Sequence, residues 1–354
     1  MNRRVVLAAA VAAAALTCGL TAALAQTGSA TAPAADAKAP IRPVDAAERK
    51  EAVEALAQEL EAHFVFPETG ARYGAMLRAN LDAGAYDGLT DPEAFCAKVT
   101  ADLQAVARDG HLRLARTEEF DRVRRATGAG GGPGHAPDAL EDARMIGEVA
   151  YLRFNILTSD PSVAERARRF LVDHADAKAV IIDGRAMPGG GVTIMDAIFP
   201  LLFGQKTTLV RMDTRAGIES PLQGGPTMIP QPADGYTRID HVVIPDAAER
   251  RLQDAPIYFL TSRRTASAAE HMAVALKRSG RATIIGETTR GAGHYGALVD
   301  IGQRFAAFVP VGRSYDPDTG QGWEGTGVAP DVAVPADKAL DEALARARAA
   351  GART

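Results

Sequence analysis

The chain has 354 residues, too many for one compact core, with 47% hydrophobic and 24% charged residues and a formal net charge of −4. This is the ordinary globular balance, and it excludes collagen-like, disordered and multi-span membrane chains as readings of the whole molecule. No lysine or arginine run is long enough to track a phosphate backbone, so no nucleic-acid role is expected, and Cys18 and Cys96 make neither a disulfide framework nor a metal cluster.

Residues 1–25 read as an export signal. Asn2-Arg3-Arg4 is a positive start, Val5 to Leu20 is a small-apolar run, and Ala23-Leu24-Ala25 is a small-x-small cleavage site. The expected destination is the periplasm or the exterior, with no integral membrane segment after cleavage, because the run is shorter than the ~20 residues a bilayer core needs. Residues 26–43, rich in Ala, Pro and Thr with no apolar period, read as a flexible tether.

Residues 44–110 carry three amphipathic helical patterns. Asp45 with Glu48 resembles an N-terminal cap, Val53, Leu56, Leu60 and Phe64 fall on one stripe, and Pro67 stops the helix. A second helix is predicted from about Thr69 to Ala83, ending at Gly84. Asp91-Pro92 opens a third, with Phe95, Val99, Leu103 and Val106 on one face and Cys96 as a small hydrophobe beside them. A bundle of about 65 residues is near the lower limit for independent stability, so it is expected to dock on the C-terminal part of the chain. Residues 111–145 begin with the alternating His111-Leu112-Arg113-Leu114 and continue into a glycine-rich linker. That linker lacks the Lys and Ser/Thr of a phosphate loop.

From residue 146 to 344 strand and helix signals alternate. Strands are predicted at Val149 to Phe154, Ala179 to Ile182, Ile257 to Leu260 and Ala282 to Ile285. Helices are predicted at Ser162 to His174 and from about Val192 and Ala266. Repeated βα units imply a largely parallel sheet with helical cover. Thr214 to Ala233, rich in Gly, Pro and Gln, reads as a surface excursion.

Four segments could carry chemistry. Ser267 stands where a buried strand passes into a helix, so the Ala268 N–H can face an oxyanion formed by its attack; Ser267 with Glu270 is equally a capping box. Asp183 to Gly191 follows strand Ala179 to Ile182 at the edge where open α/β sheets bind ligands, and its glycines admit a close substrate oxygen; the alternative is a tight turn. Among seven histidines, His63 and His174 fall late in helices and are expected to pack or cap, and His135 lies in the linker. His111 enters a strand directly after Gly110. Glu324 sits beside the only tryptophan, Trp323, among glycines, either as a turn carboxylate or as the third member of a triad. No zinc-type spacing occurs, and neither metal nor cofactor is expected.

In combination these motifs resemble the tail-specific (C-terminal processing) protease family. The residues are Ser267-Ala268-Ala269-Glu270, Ile284 to Gly291, Glu324 to Asp331, Asp109-Gly110-His111-Leu112 and Arg185 to Gly190. The closer likeness is to the branch with the tricorn core protease and interphotoreceptor retinoid-binding protein. The resemblance implies an α/β, crotonase/ClpP-like domain of ββα units behind the helical bundle. It also implies Ser267 as nucleophile, His111 as base, Glu324 as its carboxylate, and Gly189 or Gly190 with Ala268 as oxyanion hole. The lysine base of other processing proteases falls on Ala292, so a Ser–Lys dyad is excluded. Met187 stands where asparagine is common, Gly184 where leucine is usual, and Gly110 where tricorn-type sites carry a second serine. That last departure predicts a looser, water-bridged link from Glu324 to His111. No segment between His111 and Ile146 is long enough for a PDZ domain.

The implied activity is hydrolysis of peptide bonds in a peptide or protein substrate, with an acid limb near the ordinary histidine pKa of roughly 6.5. A carrier of retinoid or fatty acid is the competing class on the same fold. Acyl-CoA chemistry is a third, with no adenine-phosphate site to support it. Substrate preference and oligomeric state are not encoded in these motifs.

Overall fold

In the computed structural model, which describes residues 42–121, 139–220 and 225–351, Asp45 opens the first helix through a reciprocal cap. Its carboxylate accepts the Glu48 N–H at 2.9 Å, and the Glu48 carboxylate accepts the Asp45 N–H at 3.2 Å. The expected signal, nearly all of the tether, His135 and most of the glycine linker lie outside the described residues. Helices α1 (Ala46–His63), α2 (Pro67–Asp82) and α3 (Pro92–Val106) come next in the chain. The second begins two residues earlier than expected because Pro67 occupies its first turn, where a missing N–H costs nothing.

Strand β1 (Arg113–Arg116) brings Leu114 against these helices. With Leu112, and with Phe305 and Val309 of a later strand, it completes the core around Leu56, Leu60, Phe95 and Leu103. Cys96 is buried on the same face of α3. The bundle thus closes its core against a sheet.

The remaining elements form two sheets. In the first, β12 (Val332–Ala333), β9 (Ala282–Gly286), β8 (Ile257–Thr261), β4 (Ala179–Asp183), β3 (Val149–Phe154) and β2 (Leu140–Ile146) lie in that order. Pairing is parallel throughout except for the β2–β3 hairpin. Strands β4 and β8 are buried along their whole length, which is why they read as unbroken apolar runs. One face is covered by α4 (Pro161–Asp173), α5 (Thr193–Leu202) and α6 (Ala268–Arg278), the other by α7 (Ala339–Gly351).

The first sheet is the largely parallel one expected from the repeated βα units; the second sheet is an addition that the sequence patterns did not announce. It is antiparallel, in the order β1, β11 (Phe305–Tyr315), β5 (Thr207–Arg215), β7 (Tyr236–Val243), β6 (Met228–Gln231), with β10 (His294–Ile301) paired to β11. Strand β6 falls inside the stretch expected to be a surface excursion, and β2 inside the expected linker. Strand β6 is short and holds Pro230, while in β2, β5 and β7 charges interrupt the apolar pattern. Arg211 faces Asp240 across the β5–β7 pair and Asp213 faces Arg238, at 2.6 and 2.7 Å, so opposite charges satisfy each other in register.

Parallel pairing brings the carboxyl ends of β4, β8 and β9 to one edge. There the Gly184 N–H donates to Leu260 and the Glu287 N–H to Thr261. The loops after these strands carry the 189–190 glycines, Ser267 and the 289–292 segment. Among the described residues no helix is long and apolar enough to cross a membrane.

Candidate active site

Ser267 has φ 55° and ψ −124°, and it is the only non-glycine residue with positive φ among the described residues. Its turn is tied to the loop after β4. The Ser262 hydroxyl donates to the Arg185 carbonyl at 2.6 Å, the Thr265 hydroxyl to that of Gly184 at 2.8 Å, and the Ala266 N–H to that of Met187 at 3.0 Å. Backbone strain of this kind costs about 1–3 kcal/mol and persists where the surroundings over-determine it.

Gly189 lies directly against the serine. With φ +124°, a Cβ there would stand 2.6 Å from Ser267 Cβ and 3.2 Å from its Oγ. The neighbouring Gly190 admits no side chain either, because its Cβ would meet the Leu157 carbonyl oxygen at 2.0 Å. Leu157 donates to the Gly189 carbonyl and accepts the Gly191 N–H. That bridge uses groups on both sides of Gly190 and turns the Gly190 N–H away from it. The two departures in this loop compensate each other. A Cβ at Gly184 would fall 2.8 Å from Met187 Cε and 2.6 Å from Phe259 Cζ, so the methionine fills the space a leucine would need.

Glu270 is fully buried. It does return to the Ser267 N–H at 2.9 Å, as a cap would, but it also accepts Thr289 Oγ1 at 2.5 Å and the N–H groups of Gly291 and Ala292 at 2.6 and 2.8 Å. One carboxylate therefore joins the serine turn to the loop after β9. Ala292 in turn packs on Gly110, where a Cβ would lie 2.9 Å from Ala292 Cα and Cβ and 2.8 Å from the Gly291 carbonyl oxygen. No serine fits at 110 in this arrangement. Gly110→Ser is expected to lower stability by about 1–3 kcal/mol through overpacking, read as a fall in unfolding temperature. An unchanged temperature would mean that the 291–292 loop gives way freely.

His111 is set by Asp109, whose Oδ1 accepts the N–H groups of His111 and Leu112, each at 2.9 Å. The imidazole stacks on Phe308 with centroids 4.9 Å apart, and its Nδ1 is buried without a partner. Burial drives the ring pKa down to about 4, against the opposing pull of Asp109. Glu324 accepts the Gly110 N–H on Oε1 at 2.6 Å, and the Gly293 and His294 N–H groups on Oε2 at 2.7 and 2.8 Å. Burial, then the charge of Asp109, raises its pKa.

One donor atom each of Asp109, His111 and Glu324 lie within 4.8 Å of one another. These three are also the groups that could hold a cation, although their carboxylate oxygens already serve N–H donors. Among the described residues no hydrogen bond joins His111 to Glu324 or to Ser267. Gly110 offers no side chain between His111 and Glu324.

Contacts run from Ser267 through Glu270 and Ala292 to Gly110 and Glu324, beside His111. The residue missed by sequence reasoning is His294. Its Nδ1 is 2.7 Å from Asp109 Oδ2 and 3.7 Å from Glu324 Oε2. Burial alone would raise the Asp109 pKa, but the hydrogen bond and charge of His294, together with the His111 and Leu112 N–H groups, outweigh it and hold the carboxyl below its ordinary value. Only its place two residues beyond Ala292 hinted at this role. Elsewhere, His63 pairs with Glu59 at 2.7 Å and His174 with the Phe170 carbonyl at 2.9 Å. His241 joins His271 to Asp196 at 2.9 and 3.0 Å. Lys277 is occupied by the Ala329 carbonyl and Asp331.

Among known proteins, residues 146–334 match the family described as Peptidase family S41, and residues 46–156 match the N-terminal domain of Peptidase_S41 in eukaryotic IRBP. The chloroplastic carboxyl-terminal-processing peptidase 3 of Arabidopsis thaliana is 29% identical over 196 residues, 55% of this chain and 33% of that protein. The chain thus spans about a third of that curated relative's length. The photosystem II D1 C-terminal processing protease shares the fold with a TM-score of 0.51 at 15% identity, over 82% of this chain and 94% of that one. A lipoprotein from Streptococcus agalactiae does so with a TM-score of 0.56 at 14% identity, over 88% and 97%.

Proposed function

Because the chain belongs to peptidase family S41, we propose that it is an exported serine peptidase that cleaves peptide bonds through an acyl-enzyme on Ser267. The observation that carries this reading is the strained backbone of Ser267, held against a glycine that leaves its hydroxyl side open. Strain over-determined by three tertiary hydrogen bonds is what a presented nucleophile needs and what a simple helix cap does not. Export rests on the basic, apolar and small-residue pattern of residues 1–25.

In this mechanism neutral His111 takes the proton of Ser267 as the oxygen bonds to the substrate carbonyl carbon. The carbonyl π pair moves to oxygen, where the N–H groups of Gly189 or Gly190 and of Ala268, first residue of α6, receive it. The imidazolium then gives its proton to the leaving amine as the C–N bond breaks. Water repeats the cycle in reverse and frees the acid. Glu324 steadies the imidazolium through one bridging water, a span compatible with the 4.8 Å limit on their separation.

Burial also revises the pH behaviour expected from an unperturbed histidine. A base whose pKa has fallen to about 4 stays neutral above that value and is lost only below it. Thus kcat/KM is expected to hold level from neutral pH down to about 5 and to fall as pH approaches 4. An acid limb centred near 6.5 would show that the ring is solvated in the working enzyme.

The reading is tested by treating the protein with a fluorophosphonate probe and locating the adduct. Labelling at Ser267 that disappears in Ser267→Ala and in His111→Ala supports it. Absence of labelling, together with tight binding of a fatty acid or retinoid, would overturn it in favour of a carrier.

A further inference from the structure

Two carboxylates, buried Asp109 and half-buried Glu324, face the same small space, and one side chain stands between them. His294 Nδ1 is 2.7 Å from Asp109 Oδ2 and 3.7 Å from Glu324 Oε2, while the His294 backbone N–H donates to Glu324 Oε2 at 2.8 Å. The other oxygen of Asp109 holds the N–H groups of His111 and Leu112. Gln104 clamps the backbone of the turn that carries His111, through the Asp109 N–H and the Asp109 and Leu112 carbonyls, each at 2.9 Å. Asp109 accepts at both oxygens, so the orientation of its carboxylate, on which the His111 N–H rests, depends on what anchors Oδ2. That anchor is the imidazole of His294, with Nδ1–H donating.

The anchor is itself braced by the helical bundle. Phe64 and Phe66, at the junction of α1 and α2, meet the His294 ring edge-to-face, with centroids 6.2 and 5.6 Å apart. A line of contact therefore runs from the bundle to His294, from there to Asp109, and on to the backbone of His111. We propose that His294 is a positioning residue for the acylation step. In this role it keeps Asp109 clear of Glu324 and fixes the carboxylate on which the His111 N–H rests. The proposal rests on the serine-peptidase reading above and adds to it a role for a residue outside the Ser267, His111 and Glu324 set. It also gives the bundle a mechanical part in that reading.

The side chains that can replace His294 separate a specific donor from general packing. Asparagine carries an amide N–H close to where Nδ1–H stands. Glutamine, one methylene longer, carries it nearer the Nε2 position. The rate constant for fluorophosphonate labelling of Ser267 is measured for wild type, His294→Asn, His294→Gln and His294→Leu, with unfolding temperatures recorded alongside.

Loss of a hydrogen bond to a charged, buried partner is expected to slow labelling by about 10- to 100-fold in His294→Leu and His294→Gln. His294→Asn is expected to stay within about threefold of wild type. Equal rates in all four proteins would overturn the proposal, as would Asn and Gln variants slowed alike. Should the leucine variant fail to fold, the Asn–Gln contrast alone decides. Wild-type protein that does not label at all defeats the serine-peptidase reading itself, a result distinct from any ranking among the variants.

Discussion

Ser267→Gly is expected to abolish peptide hydrolysis while making the protein more stable. Removing a serine nucleophile from a working triad costs about 10⁴-fold or more in rate, and the activity left over comes from binding and oxyanion stabilisation. The stability gain comes from the backbone. At φ 55° and ψ −124° a side chain is strained by about 1–3 kcal/mol, whereas glycine adopts such angles freely. Glycine also loosens the unfolded chain by about 0.4–1 kcal/mol, which offsets part of the gain. The net expectation is about 1 kcal/mol, or an unfolding temperature raised by about 2 °C. Ser267→Ala should be equally inactive but should not share the stabilisation, since its Cβ keeps the strain. If calorimetry found the glycine variant melting at or below the alanine variant, the strain would not reside in that backbone.

Glu270→Gln is expected to be the most damaging conservative change in the molecule. The carboxylate accepts from four donors, the N–H groups of Ser267, Gly291 and Ala292 and the Thr289 hydroxyl, and it is fully buried. An amide turns one acceptor oxygen into an NH₂ group facing donors, so at least one buried N–H loses its partner. Each such loss costs about 1–3 kcal/mol. A total near ~3 kcal/mol is expected in denaturant unfolding, with an unchanged m-value. Activity should fall further than the unfolded fraction explains, because both the serine turn and Ala292, on which Gly110 rests, depend on this group. A variant with wild-type stability and rate would mean that Glu270 is only a helix cap.

Much of the architecture is legible in residue order. Runs such as Ala179 to Ile182 and Ile257 to Leu260 are apolar at every position because both faces of the parallel sheet are covered. Asp45 and Asp91 announce helix starts through short-range hydrogen bonds that need no tertiary partner. The antiparallel sheet is hidden for the opposite reason. Arg211, Asp213, Arg238 and Asp240 look like surface charge until pairing across β5 and β7 neutralises them.

The candidate site divides along the same line. Chain order alone determined which residue types are available and where several strands end and helices begin, and its motifs carried the resemblance that proposes Ser267, His111, Glu324 and the 189–190 glycines as one set. The element boundaries follow from local sterics, and the proposed set from motifs a few residues long that resemble a family. Only the folded chain decided that Gly110 and Ala292 exclude a second hydroxyl, that burial lowers the His111 pKa to about 4, and that His294 stands between two carboxylates. Each of these depends on groups far apart in sequence brought together in a confined, largely desolvated space. In such a space desolvation and contact distance outweigh intrinsic preference, and neither can be read from residue order.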